Sequence, residues 1–182
     1  MKPWAFPLLA VIICALVGCT PGGEVSPTPT DTEPSIAVTP APQWTDEEQE
    51  AADAVQRYID MWAYIGQNII EADWRDILEV ATTPQSNHDQ QMWANWANQG
   101  WHLEGAPTFT PTQVQVGMHD QTGQWYYVFG CFVIEDSFVS DKDGNSIGAE
   151  GRSERGINSY KVVHIDQQGY LVAESTMEDD LC

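Results

Sequence analysis

The chain has 182 residues and a formal net charge of −20, from 27 acids against 7 bases. That charge repels nucleic acid and anionic lipid surfaces, so partners held mainly through phosphate are excluded, whereas basic partners and divalent cations are attracted. It also keeps a domain soluble, and eight tryptophans with 42% hydrophobic residues are enough to build a packed core.

The N-terminus carries one positive residue, Lys2, followed by an apolar run from Trp4 to Val17 that is broken only by Pro7. About 14 residues cannot span a bilayer, which needs about 20, but they suit a signal peptide. Cys14 follows bulky Ile12 and Ile13, whereas Cys19 follows small Gly18. The run Leu16-Val17-Gly18-Cys19 resembles the lipobox of bacterial lipoproteins. The resemblance implies export, cleavage between Gly18 and Cys19, and diacylglyceryl (palmitate-type) lipidation of Cys19. It also implies residence on the outer face of the cytoplasmic membrane. Two acyl chains, at about 0.8 kcal/mol per buried CH2, anchor a protein stably. Loss of the leader removes Lys2 and leaves the mature chain one unit more negative.

Thr20 to Gln43 is rich in Pro, Thr and Ser and poor in large apolar residues. Such a segment cannot bury a core. Its repeated prolines favour an extended polyproline helix that reaches on the order of 70 Å at about 3.1 Å per residue. The expected organisation is therefore a signal peptide over 1–18, a lipidated cysteine and tether over 19–43, and a single domain over 44–182.

Thr45-Asp46-Glu47-Glu48 spells a capping box, and its acids also favour the positive end of a helix dipole. Ala52, Val55, Ile59, Trp62 and Ala63 then recur at helical spacing, which predicts a long helix ending near Gly66. A second helix is expected over Asp73 to Ala81, closed off by Pro84. A third is expected over Asn87 to Asn98, with Met92, Trp93, Trp96 and Ala97 as its apolar stripe and Gly100 as its stop.

Beyond Gly100 the period falls to two. Trp101 and Leu103 open a strand, and Val114, Val116 and Met118 alternate with polar residues in another. Trp125 to Ile134 is apolar on both faces, as a central strand is. Gly156 to Ile165 and Tyr170 to Ser175 are the last strands. Asp120 to Gly123 and Asp166 to Gly169 have hairpin-turn composition, and Ser137 to Ser153 is polar and glycine-rich, as a long loop is. Short connections make the sheet largely antiparallel.

Apart from Cys14 and Cys19, the chain has two cysteines, Cys131 and Cys182. In an exported protein these are expected to pair, the alternative being one buried and one exposed free thiol. A loop of about 50 residues makes such a bond worth about 4 kcal/mol in the chain-entropy description.

Helices followed by antiparallel strands define an α+β class. The order is similar to the nuclear transport factor 2-like (SnoaL-like) fold, in which a curved sheet wraps a long N-terminal helix into a cone. The lipobox, the tether, the acidic helix start and the pair Cys131–Cys182 together resemble small secreted lipoproteins of high-GC Gram-positive bacteria. That resemblance implies a fold and a location but no activity.

Among chemistry-bearing residues, Asp141, Asp143 and Asn145 have the one-three-five spacing of a calcium loop. The pattern then departs: Ser146 holds the glycine position and Arg152 the place of the bidentate glutamate. Asp-Lys-Asp-Gly-Asn is equally ordinary turn chemistry. Trp93, Trp96 and Trp101 are close enough in sequence to stack on wall sugars if exposed, although the first two share the apolar helix face. Enzymes of the cone fold resembling ketosteroid isomerase or scytalone dehydratase use a carboxylate, histidine or tyrosine deep in a pocket. Tyr58, Tyr126, Tyr127, His119 and His164 are the matching residue types here. His88 and His102 read as surface positions. No phosphate loop, zinc spacing or nucleophile elbow is present in the sequence, and no cofactor is implied.

The expected function is a lipid-anchored, non-catalytic envelope protein. Its acidic domain binds a protein or small ligand, and its membrane contact runs through Cys19. The alternatives are a cone-fold enzyme acting on a small apolar substrate and a wall-carbohydrate-binding module.

Overall fold

The first helix, α1 (Asp46–Gln67), begins where its cap places it. The Thr45 backbone N–H donates to Glu48 Oε2 at 2.8 Å, and the Glu48 N–H donates to Thr45 Oγ1 at 3.2 Å. The two residues thus satisfy each other's unpaired donors. Ala51, Ala52, Ala54, Val55, Tyr58, Ile59, Ala63 and Ile65 form its buried side. A computed structural model of the chain describes residues 43–117, 123–148, 153–178 and 182, all within the unit Pro40–Cys182. Gly18, Cys19, the tether up to residue 42 and His119 lie outside the described residues.

The second expected helix is a single 3-10 segment, Trp74–Glu79, capped by Asp73, which accepts from the Arg75 N–H at 3.0 Å. It stops short of Ala81 because the chain there pairs with a strand. The Val172 N–H donates to the Val80 carbonyl at 3.0 Å and the Thr82 N–H to the Val172 carbonyl at 2.8 Å. The next helix, α2 (Thr83–Gln99), starts four residues before the expected Asn87. Pro84 does not close the preceding helix but sits in the first turn of α2, where a missing N–H breaks no helical hydrogen bond. Gly100, at φ 70°, ends α2 in the left-handed conformation that suits glycine.

Among the described residues seven strands follow: β1 (His102–Glu104), β2 (Thr108–Val116), β3 (Trp125–Val133), β4 (Phe138–Ser140), β5 (Ser146–Ile147), β6 (Arg155–Ile165) and β7 (Gly169–Met177). They form an antiparallel four-stranded sheet, β2-β3-β6-β7, and a three-stranded one, β1-β4-β5. The long loop expected over Ser137 to Ser153 therefore contains two strands. At three and two residues they are too short to show a period.

In β2 the expected burial of Val114 and Val116 is only partly met, since Val116 is 57% exposed. The anchor is Phe109. A bulge between Pro111 and Gln113 separates the two halves of this edge strand. The Phe109 ring lies over Gly130 of β3, where a Cβ would fall 2.4 Å from its Cζ. Met118 lies outside the described residues.

α1 packs against β2, β3, β6 and β7, and α2 against β7 and the 3-10 segment. Between them lie Val55, Ile65, Ile77, Trp93, Tyr126, Val128, Val162 and Val172, all essentially without exposure. Each such side chain contributes about 1.5–3 kcal/mol of burial. Cys131 and Cys182 are disulfide-bonded, with Cα atoms 5.7 Å apart. The bond ties the end of the chain to the central strand, on the sheet face opposite Tyr126 and Val128. Among the described residues the architecture is α+β, with two helices packed on antiparallel sheets that do not close into a barrel.

Candidate ligand groove

Two polar constellations stand out from the apolar packing. The first is closed. Tyr58 Oη on α1 donates to Asp89 Oδ2 at 3.0 Å, and Gln85 Nε2 on α2 donates to Tyr58 Oη at 2.9 Å and to Asp89 Oδ1 at 3.1 Å. The Ser175 N–H of β7 donates to Gln85 Oε1 at 3.1 Å. Gln85 and Asp89 are one helical turn apart, so both point into the same layer. Asp89 is 2% exposed, and its nearest cation candidate is solvent-facing His88, with Nδ1 at 3.7 Å from Oδ1. Burial pushes the Asp89 carboxyl up to about 6, against the lowering effect of the Tyr58 and Gln85 hydrogen bonds. Burial, and then Asp89, push the Tyr58 phenol well above the usual tyrosine range. Next to it, Tyr160 stacks edge-on against Tyr58 at 6.1 Å and is pushed up to about 12, chiefly by burial. These groups lie in the packed interior and bridge both helices to the sheet.

The second constellation is open. A groove of about 770 Å³ lies where the first turns of α1 meet the β6–β7 hairpin and the approach to β3. Glu47 and Glu50, one helical turn apart, face it from α1, and Asp166 faces it from the hairpin turn. His164 and Tyr170, cross-strand partners in the β6–β7 pair, supply the aromatic side, with ring centroids 4.9 Å apart. Beneath them Tyr126 packs edge-on to Tyr170 at 5.7 Å, and Gln124 Nε2 donates to Tyr126 Oη at 2.6 Å. Burial, Tyr170, and then the charges of Glu47 and Glu48 hold the Tyr126 phenol protonated, well above the usual tyrosine range. The field at this end of the sheet is therefore negative.

Of the residue types that match a cone-fold enzyme, the structure brings Tyr126 and His164 together through Tyr170. It does not bring Tyr58, which belongs to the closed network, or Tyr127, which points to the other sheet face. Glu47, Glu50, Asp166 and Tyr170 are groove residues that the sequence does not single out. The acids read as helix and turn chemistry, and nothing in the spacing joins residues 47 and 170.

Asp141, Asp143 and Asn145 do come together, as a hairpin turn between β4 and β5. Asp141 Oδ1 accepts from the Asp143 and Asn145 N–H groups, both at 2.9 Å, and Asn145 Nδ2 donates to Asp141 Oδ2 at 3.0 Å. These hydrogen bonds, the Asn145 side chain first, hold the Asp141 carboxyl below the usual carboxylate range. Lys142 Nζ pairs with Asp143 at 2.9 Å. Both Asp141 oxygens therefore accept hydrogen bonds within the turn, and the Asp143 carboxylate is paired with Lys142. Among the described residues no three His, Cys, Asp or Glu side chains converge to hold a metal ion.

Trp93 is fully buried, whereas Trp96, edge-on to Trp62 at 5.9 Å, and Trp101 are half-buried and line a shared surface groove with His88, Met92 and Gln99. One further cluster mimics a hydrolase site. Ser140 Oγ lies 3.3 Å from His102 Nε2 and donates to Glu104 Oε1 at 2.6 Å. Ser140 has no exposure, and its proton goes to the carboxylate rather than to the imidazole, so the cluster cannot present a nucleophile.

The chain matches no family model and no curated protein. Among solved structures it is similar to the intermembrane space region of chloroplast protein ARC6, at TM-score 0.48 and 13% identity over 75% of this chain and 98% of that one. It is also similar to a de novo designed beta-sheet protein, at TM-score 0.30 and 14% identity over 75% and 91% of the two chains.

Proposed function

We propose that this protein is a lipid-anchored lipoprotein of the bacterial envelope. Its acidic domain, of the cone-shaped nuclear transport factor 2-like type, binds a ligand or partner at the groove between α1 and the β6–β7 hairpin. The carrying observation is the groove itself: a space of about 770 Å³ stays open there and is lined by carboxylates and aromatic rings. A space of this size is within the range of small-ligand pockets, and its lining of Glu47, Glu50, Gln124, His164 and Asp166 suits a polar or charged ligand. The run Leu16-Val17-Gly18-Cys19 supports lipidation at Cys19 and display on the outer face of the membrane. The placing of α1 across all four strands of the larger sheet supports the cone type. A tether of 24 residues between lipid and domain suits binding at a distance from the membrane.

Two experiments test this. Cys19→Ala, or globomycin treatment, blocks maturation; unchanged processing refutes the anchor. A photo-crosslinking residue placed at Ile165, which lines the groove without carrying its charge, gives a discrete adduct in the native cells, and the same residue at exposed Glu79 gives none. Absence of any adduct from position 165 refutes the groove as the site.

A further inference from the structure

We propose that the groove recognises an organic ammonium cation, an inference that rests on the groove being the binding site. Its aromatic side is the first observation. Tyr170 and His164, edge-on to each other at 4.9 Å, both line the groove, and Tyr126 backs Tyr170 at 5.7 Å, so aromatic surface borders the space. An ammonium group over an aromatic face gains from the ring quadrupole, and quaternary amines are bound in this way. The second observation is the placement of charge. Glu47, Glu50 and Asp166 line the groove, and among the described residues no lysine or arginine does. Capping of α1 uses only Thr45 and Glu48, so Glu47 and Glu50 exceed what the helix start needs. They more than offset the positive end of the α1 dipole, which by itself favours an anion. The third is the spread of the acids. Glu47 and Glu50 face the space from α1 and Asp166 faces it from the β6–β7 turn, so negative charge borders it on two sides. A volume of about 770 Å³ leaves room for the organic body of such a cation.

The test is calorimetry on the full chain with three probes: choline, spermidine and a short peptide with one lysine. Each is titrated at low salt and at 300 mM NaCl. Glu47→Gln/Glu50→Gln removes two groove charges; Asp53→Asn/Asp60→Asn removes two from elsewhere on α1. Tyr170→Leu removes the ring and keeps the charge. The expected result is single-site binding of at least one probe. It weakens at least tenfold in the Glu47/Glu50 variant and in Tyr170→Leu, and is unchanged in the Asp53/Asp60 variant. Choline or spermidine binding alone marks a small amine, and peptide binding alone marks a lysine side chain. Equal weakening in both double variants would mean diffuse attraction to a polyanion and overturn the proposal, as would no heat from any probe at millimolar concentration. The position-165 adduct separates the two failures. If it persists in the Glu47/Glu50 variant, the groove stands and the ammonium class falls; if it was never formed, both fall.

Discussion

Asp89 makes the stability of this domain depend on pH in a direction opposite to that of a salt-bridged carboxylate. Its folded value of about 6 lies above the value of about 3.9 for an unfolded aspartate. Between those values the folded chain binds a proton that the unfolded chain does not. The contribution of this group is therefore full below pH 4 and is lost as the pH rises through 6. Two pKa units correspond to about 3 kcal/mol. Asp89→Asn removes the titration while keeping the side-chain volume. Gln85 is held by the Ser175 N–H through its Oε1, so its Nε2 must face residue 89. The substituted amide then presents its oxygen to Gln85 and its NH2 to Tyr58, and the Tyr58 proton loses its acceptor, a cost of about 1–3 kcal/mol. That cost is constant with pH. Urea unfolding followed by tryptophan fluorescence, at pH 4, 5, 6 and 7 with the disulfide intact, should show wild type well ahead of the variant at pH 4 and near parity at pH 7. The gap between the chains should change by about 2 kcal/mol across that range, since the unfolded aspartate is already half ionised at about pH 4. Taking the difference cancels the other acids, which titrate in both chains. A gap that moves by less than about 0.5 kcal/mol, well short of that linkage, would refute the reasoning, since Asp89 would then titrate as a solvated group.

Opening the Cys131–Cys182 bond by Cys182→Ser should cost about 4 kcal/mol in the chain-entropy description, for a separation of 51 residues; an unchanged urea midpoint would contradict it. Ile77→Ala, at a site with no exposure, should cost about 2–5 kcal/mol by the same unfolding assay. Gly130→Ala should destabilise because its Cβ meets both the Phe109 ring and the Thr110 carbonyl oxygen, and Phe109→Leu in the same chain should recover only the part due to the ring. Additive effects would show that the two positions do not collide. Asp141→Ala should lower the thermal midpoint by breaking the β4–β5 turn, and millimolar calcium should leave wild type and variant unmoved in calorimetry; heat on calcium addition to wild type alone would overturn the turn assignment.

The long elements are legible in the sequence because their periods are long enough to read. α1 carries a capping box and six turns of pattern, and β3 is apolar on both faces, as a strand under helices on one side and aromatic packing on the other must be. The departures have local causes. Pro84 reads as a stop because proline ends helices, but a missing N–H is as well tolerated in a first turn, and the sequence does not say which helix it serves. The segment through Ala81 has apolar spacing that fits a helix; the edge of β7 captures its backbone instead, a tertiary effect outside the local window. β4 and β5 are invisible at three and two residues. The site is less legible than the fold. Glu47 and Glu50 read as dipole partners, and Tyr170 as one strand residue among several. Only the fold brings residues 47 and 170 to the same place.

The two polar constellations demand different explanations. A buried carboxylate held near neutrality is an expensive way to join two helices to a sheet, since an apolar pair of the same volume packs without a charge to desolvate. Its partners are complete: Asp89 accepts from Tyr58 and Gln85, Gln85 is fixed by Ser175, and none of them faces the groove. A fully satisfied network of this kind fixes one arrangement of α1, α2 and β7, because any slip of one element leaves a buried donor unpaired. The groove lies at the N-terminal end of the same α1 and at the start of the same β7. The hydrogen bonds from Tyr58 and Gln85 thus set the position of the helix that carries Glu47 and Glu50 relative to the strand that carries Tyr170. Asp89→Asn should accordingly leave the groove side chains in place yet broaden their NMR resonances, through looser coupling of α1 to β7. Unbroadened Tyr170 and Glu47 signals in that variant would show that the groove is held by local packing alone.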